Sequence, residues 1–293
     1  TTDNWDMCAD DYCHRYFVDG SPVAADIYDP DDTDGATWKT MLVTGLREGG
    51  EAFFALDISY GNAFDAATNP SEFMWEFTDT ELGQTWAEPA ISRVASTGDG
   101  AAWGVFFGSG YKEMPSDQAN KEAYLYGIEA HNMTDLWVDS GSNPTNRIKI
   151  SSTTLTDDAL SPPLSSDIEG DFKADVLYTG NLYGNMYRVK NIGKGETPDI
   201  SKLYDSENTD HSQPIRAKAD YGYTETENLI RIFFGTGRYE TQIDKYMSSQ
   251  QYFFSLIDDG TSVYNTPDDE DLAKLAAGYI TDSVTGISLS LIH

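Results

Sequence analysis

Positions 1, 3, 5 and 9 of the segment "DIEGDFKAD" are Asp167, Glu169, Asp171 and Asp175, and position 7 is Lys173. Hard oxygen ligands crowded into so short a segment suit a calcium ion. In a tight loop the side chains at positions 1, 3 and 5 converge on one centre, position 7 turns its carbonyl inward, and position 9 closes the shell. The expected ligand set is Asp167, Glu169, Asp171 and Asp175 by side chain, with Lys173 contributing its backbone carbonyl. Four carboxylates outweigh a divalent charge, so ion binding should relieve their mutual repulsion and order the loop. Magnesium fits less well, because it prefers few carboxylates and retained waters. The loop is not an EF-hand, since position 6 is Phe172 rather than Gly and position 12 is Tyr178 rather than Glu. In a chain this acidic, four carboxylates at fixed offsets arise by chance about 0.2 times, so the spacing alone is a weak signal.

Other chemistry-bearing residues are sparse. The only cysteines, Cys8 and Cys13, lie in a polar segment and read as a local disulfide clasp within a lead-in over residues 1–15. His14 and nearby aspartates could instead complete a zinc site, although the segment is short of ligands. A second acidic stretch, "DPDDTDG" at 29–35, lacks the closing position and reads by default as a solvated hairpin tip. There is no Gly-x-Ser-x-Gly elbow and no His-Glu-x-x-His pair, and the histidines are His14, His131, His211 and His293. Acid pairs such as Asp157 and Asp158 are explained by composition.

The elements that position the acidic loop emerge from a loose internal repeat. Four apolar runs end in glycine: "MLVTG" (41–45), "VFFGSG" (105–110), "VLYTG" (176–180) and "IFFGTG" (232–237). Each is preceded by a proline-containing lead-in, at 19–27, 86–94, 160–168 and 212–220. Each is followed by an aromatic-rich run, at 52–58, 123–129, 184–189 and 251–258. Alternating apolar residues bounded by Gly, Asp and Pro argue for antiparallel strands, and a repeated meander argues for a β-propeller. The same repeat removes a false lead. "GSGYKE" and "GTGRYE" resemble a nucleotide-binding turn, but strands rather than helices follow them, so they read as strand-end turns in which Gly supplies backbone freedom. The expected fold class is therefore all-β: a modified, incompletely closed propeller of antiparallel blades over residues 1–293, with irregular loop insertions. One short helix is expected at 267–280, "PDDEDLAKLAAGYI".

The whole-chain charge sets the partners. With 19 basic and 49 acidic residues the formal charge is −30, which repels nucleic acid and anionic membrane surfaces and suits cations, basic proteins and salty media. No stretch is apolar over the roughly 20 residues a membrane-crossing helix needs, and the first residues lack a signal peptide's basic and apolar regions. The chain is thus either cytosolic or a piece whose targeting segment is gone; a disulfide would favour an oxidising compartment.

Taken together, "HRYFVDGSPVAADIY" (14–28), "WKTMLVTGLREGGEAFFALDIS" (38–59), "LGQTWAEPAISRV" (82–94), "WGVFFGSGY" (103–111), "ADVLYTGNLYGNMYRVKN" (174–191) and "IRIFFGTGRY" (230–239) resemble the C-terminal β-propeller of the PilY/PilC-type proteins of type IV pili. The resemblance implies a non-enzymatic adhesin and assembly factor at the extracellular pilus tip, acting in pilus biogenesis, extension and retraction, and surface adhesion. Its partners would be minor pilins or other tip components and a host or abiotic surface ligand. It also implies a calcium loop between blade strands, whose ligand positions fall on Asp167, Glu169, Asp171, the Lys173 carbonyl and Asp175; Glu169 stands where Asp or Asn is usual. The family's N-terminal region and the first propeller strands are missing, so the chain is expected to be one segment of a longer protein. Either further residues or a partner strand would complete the ring. Two other readings stay in view: a quinoprotein-like propeller enzyme, for which a vicinal cysteine pair is lacking, and a purely structural extracellular filament protein.

Overall fold

A computed structural model describes residues 15–32, 37–59, 73–96, 100–110, 122–150, 158–208, 210–224, 229–239, 244, 249, 251–265, 275–276, 280–281 and 288–289. Cys8, Cys13 and His14 lie outside the described residues, as does Asp34 of the second acidic stretch.

The repeat folds as four antiparallel sheets, or blades, of four strands each. Blade one is β1 (Val23–Asp29), β2 (Thr37–Gly45), β3 (Ala52–Asp57) and β4 (Phe73–Thr78). Blade two runs β5 (Ala90–Ser96), β6 (Gly100–Gly108) and β7 (Tyr124–Glu129). A short ribbon of β8 (Trp137–Val138) and β9 (Pro144–Thr145) then precedes its outer strand, β10 (Arg147–Lys149). Blade three is β11 (Leu164–Ser166), β12 (Val176–Gly180), β13 (Met186–Lys190) and β14 (Asp199–Tyr204). Blade four is β15 (Asp220–Tyr223), β16 (Ile230–Gly235), β17 (Tyr252–Asp258) and β18 (Leu275–Ala276).

The register shows that the sequence repeat is a structural one. The marker glycine of each second strand pairs with an early residue of the third: Gly45 with Phe53, Gly108 with Leu125, Gly180 with Met186 and Gly235 with Phe253. Alternation of side chains along a strand then sends neighbouring residues to opposite faces. Phe106 joins the core between blades two and three, and Phe107 joins the core between blades one and two. A third core, built on Tyr178, Tyr204, Phe234 and Phe254, fills the gap between blades three and four. Aromatic rings pack closely in two of these cores, with centroids 4.3 Å apart for the tilted pair Phe53–Phe107 between blades one and two and 4.8 Å apart for the stacked pair Phe234–Phe254 between blades three and four.

Two expectations change. The glycines at 45, 108 and 180 do not have left-handed backbones; they are needed because the next blade's lead-in passes over them. A Cβ on Gly45 would lie 2.7 Å from the Thr85 carbonyl oxygen, one on Gly108 2.4 Å from Leu160 Cβ, and one on Gly180 2.3 Å from Ile215 Cγ2. The helix expected over 267–280 is strand wherever that segment is described. Leu275–Ala276 pairs with Tyr252 and Phe253 as the outer strand of blade four, and Ile280–Thr281 (β19) pairs with Ser288–Leu289 (β20). An open sheet edge offers a row of backbone hydrogen bonds, and that outweighs the weak helical preference of a short amphipathic stretch.

Candidate functional site

The acidic loop joins β11 to β12, the first two strands of blade three. Its carboxylates do turn into the loop, but they meet the loop's own amides. Asp167 Oδ1 accepts from the N–H of Gly170 (2.7 Å) and of Asp171 (3.2 Å), while Oδ2 accepts from Phe172 N–H (2.7 Å). Asp175 Oδ2 reaches back to the N–H groups of Ile168 (2.7 Å) and Glu169 (3.2 Å). Asp171 Oδ1 accepts from Lys173 N–H at 2.9 Å, and its Oδ2 is paired with Lys173 Nζ at 2.6 Å. That ammonium, seconded by the Lys173 amide and the charge of Arg93, holds the Asp171 carboxyl below the usual carboxylate range. The wrapping is tight enough to place Phe172 at φ +65° with its ring 83% exposed, and Gly170 at φ +74°.

Of the five expected ligands, Asp167 and Asp175 are thus brought together around the start of the loop, and Asp171 is engaged by Lys173. Glu169 is exposed, and its carboxylate has no hydrogen-bond or ion-pair partner among the described residues. No group of three His, Cys, Asp or Glu side chains among the described residues stands close enough to hold a metal ion. The donor chemistry nevertheless suits calcium. An ionised carboxylate offers about four lone-pair sites, and even Asp167 uses only three on amides. Closing a shell requires Asp171 to exchange Lys173 for the ion.

Both neighbouring blades hold this loop. Ala174 N–H donates to the Arg93 carbonyl of β5 at 2.8 Å, and Tyr223 OH of β15 donates to the Asp167 carbonyl at 2.7 Å. The second acidic stretch is organised differently. Lys39 Nζ lies 2.9 Å from both Asp29 Oδ2 and Asp32 Oδ2, and Asp31 Oδ2 meets His131 Nε2 of blade two at 3.2 Å. Two of its carboxylates are thus paired with a lysine of their own hairpin and a third with a histidine of the next blade.

Sequence reasoning missed two sets of residues. Asp158, dismissed as compositional, is 2% exposed and accepts from Asn181 Nδ2 (2.8 Å) and from the N–H groups of Leu182 and Ala159 (both 3.0 Å). Burial pushes its carboxyl up to about 6. The other set lines a cavity of about 250 Å³ where the four lead-ins converge: Ser21, Thr85 to Glu88, Pro162 and Arg216 to Lys218, together with Arg47. A signal for it existed in the scarcity of basic residues, since two of the few present, Arg216 and Lys218, fall in one lead-in.

Four antiparallel blades packed face to face about that cavity define a β-propeller, here with an acidic hairpin loop on its third blade. Within that class the chain belongs to the family of the PilY1 beta-propeller domain, whose sequence profile matches residues 7–271. The type IV pilus biogenesis factor PilY1 of Pseudomonas aeruginosa (strain PAO1) is 28% identical over 258 residues, covering 79% of this chain and 20% of its own length. A PilY1 homolog of Xylella fastidiosa is 29% identical over 258 residues, 86% of this chain and 18% of its own. The crystal structure of the Pseudomonas aeruginosa PilY1 C-terminal domain superposes with a TM-score of 0.63 at 24% identity, over 83% of this chain and 50% of that one, and so shares the fold. The chain spans about a fifth of the length of the curated relatives.

Proposed function

We propose that this chain is the propeller region of a type IV pilus biogenesis factor and that its Asp167–Asp175 loop binds calcium. The relatives are named for pilus biogenesis, which supports a surface or pilus-associated place for the longer protein and a role in assembly rather than catalysis. At the finer level the reading is an extracellular factor at the pilus tip. It would contact minor pilins or other tip components and a host or abiotic surface ligand, with calcium biasing extension, retraction and adhesion.

The observation that carries the calcium reading is the loop's attachment to blade two through Ala174 and to blade four through Tyr223. In this proposal Asp167, Glu169, Asp171 and Asp175 hold the ion with the Lys173 carbonyl, and the bound charge offsets their mutual repulsion. Fixing the loop then stiffens two blade interfaces at once. Thermal melts of the 293-residue chain in EDTA and in rising calcium test it. The wild type should melt higher with calcium, whereas Asp171→Ala should melt as the wild type does in EDTA and gain little from the ion. Equal calcium-dependent gains in the two proteins would sink the assignment of this loop.

A further inference from the structure

The cavity at the convergence of the lead-ins reverses the charge of the molecule around it. The chain carries 19 basic against 49 acidic residues, yet its charged lining is Arg47, Arg216 and Lys218 against Glu88 alone. Low-dielectric walls concentrate such a field.

Arg47 is held there under strain. Its backbone sits at φ +50°, a conformation side-chain-bearing residues seldom adopt, and is fixed by Thr85 Oγ1, which accepts from Arg47 N–H at 3.1 Å. Its guanidinium lies over the Trp86 ring at 4.4 Å, and among the described residues it donates one long hydrogen bond, Nη1 to the Asp19 carbonyl at 3.5 Å. Its buried Nε makes no hydrogen bond among the described residues. A planar fork held this way, with donors left over, is arranged to receive a planar anion. Across the cavity Lys218 is exposed and has no ion-pair partner among the described residues. Arg216 is anchored by donating to the Leu160 carbonyl at 3.0 Å.

We propose that this cavity binds a carboxylate, gripped by Arg47 from blade one and by Lys218 and Arg216 from the lead-in to blade four. The space suits a small acid or the last residue of a polypeptide, rather than a larger ligand. Both sources present the same group. Either would tie the first blade to the fourth across the axis, independently of the calcium loop.

Calorimetric titration of the 293-residue chain, freed of metal and dialysed into a buffer without carboxylates, tests this with three probes: succinate, acetyl-trialanine with a free carboxylate, and its C-terminal amide. Saturable binding with Kd of about 1 mM or tighter is expected for at least one free carboxylate. Lys218→Gln should weaken it about fivefold without changing the melt, because the side chain is exposed. Arg47→Lys should weaken it about tenfold, since an ammonium cannot grip two oxygens in plane. If the tripeptide acid binds and its amide does not, the ligand is a polypeptide terminus; if succinate alone binds, it is a free small acid. Failure of both carboxylates to saturate, or binding by Lys218→Gln as tight as by the wild type, overturns the proposal.

Discussion

Lys173 is the residue on which the acidic loop turns. Its backbone carbonyl is one of the ligands proposed for calcium, while its side chain holds Asp171 with an ammonium at 2.6 Å. In the proposed calcium loop the protein's own cation would therefore compete for a carboxylate that the ion needs. Replacing only the side chain separates the two roles. Lys173→Gln keeps the carbonyl and removes the competing charge, so calcium affinity should rise about threefold to fivefold, the range open to an exposed charge pair. A calcium titration followed by melting or calorimetry measures this, and an unchanged affinity would mean that the ammonium does not compete. The alternation of acids was legible in the sequence because ligand spacing is a local property. The amide wrapping around Asp167 and the capture of Asp171 by Lys173 were not, since spacing does not say which donors reach a carboxylate first.

At the scale of the elements, the repeat was legible and its physical cause was not. Glycine after an apolar strand read as a turn, but Gly108 and Gly180 are in ordinary extended backbone with the next blade's Leu160 and Ile215 against them. They act as seats for the following lead-in, and a seat is a long-range contact that no local pattern encodes. Gly235 holds the same register in blade four, but a Cβ there would meet nothing among the described residues closer than 3.7 Å, from Phe253 Cδ2. The three glycines should therefore separate on mutation. Gly108→Ala and Gly180→Ala force a packed interface apart and should destabilise by about 1–3 kcal/mol each, whereas Gly235→Ala should change stability by less than about 0.5 kcal/mol. Urea denaturation of the three variants decides it; an equal loss at Gly235 would place another segment over blade four. The helix expected at 267–280 failed for a related reason. Its apolar spacing was real, but the edge of Tyr252–Asp258 lay nearby and claimed Leu275 and Ala276 as a strand.

Over the whole molecule, carboxylate charge works against the fold, and Asp158 is where this becomes measurable. The formal charge of −30 raises self-repulsion as pH rises and acids ionise. Asp158 adds a separate contribution of the same sign. Desolvation lifts its carboxyl from 3.8 to about 6, even though Asn181, Leu182, Ala159 and the charge of Arg216 all favour the ionised form. A carboxyl whose folded pKa lies above its unfolded value stabilises the fold fully below pH 3.8, and that contribution is lost as pH rises through about 6. The loss amounts to about 2 kcal/mol between pH 4 and 7. Salt divides the two effects, because at 1 M the screening length falls to about 3 Å and weakens surface repulsion while leaving burial untouched. Urea denaturation at 1 M salt in EDTA should therefore still show stability falling from pH 4 to 7 in the wild type. Asp158→Asn should flatten that slope whatever its effect on absolute stability, since Asn cannot ionise. Parallel slopes in the two proteins would assign the whole pH dependence to the surface. In that case the lead-in joining Asp158 to the turn at Asn181 would carry no titrating charge within the range.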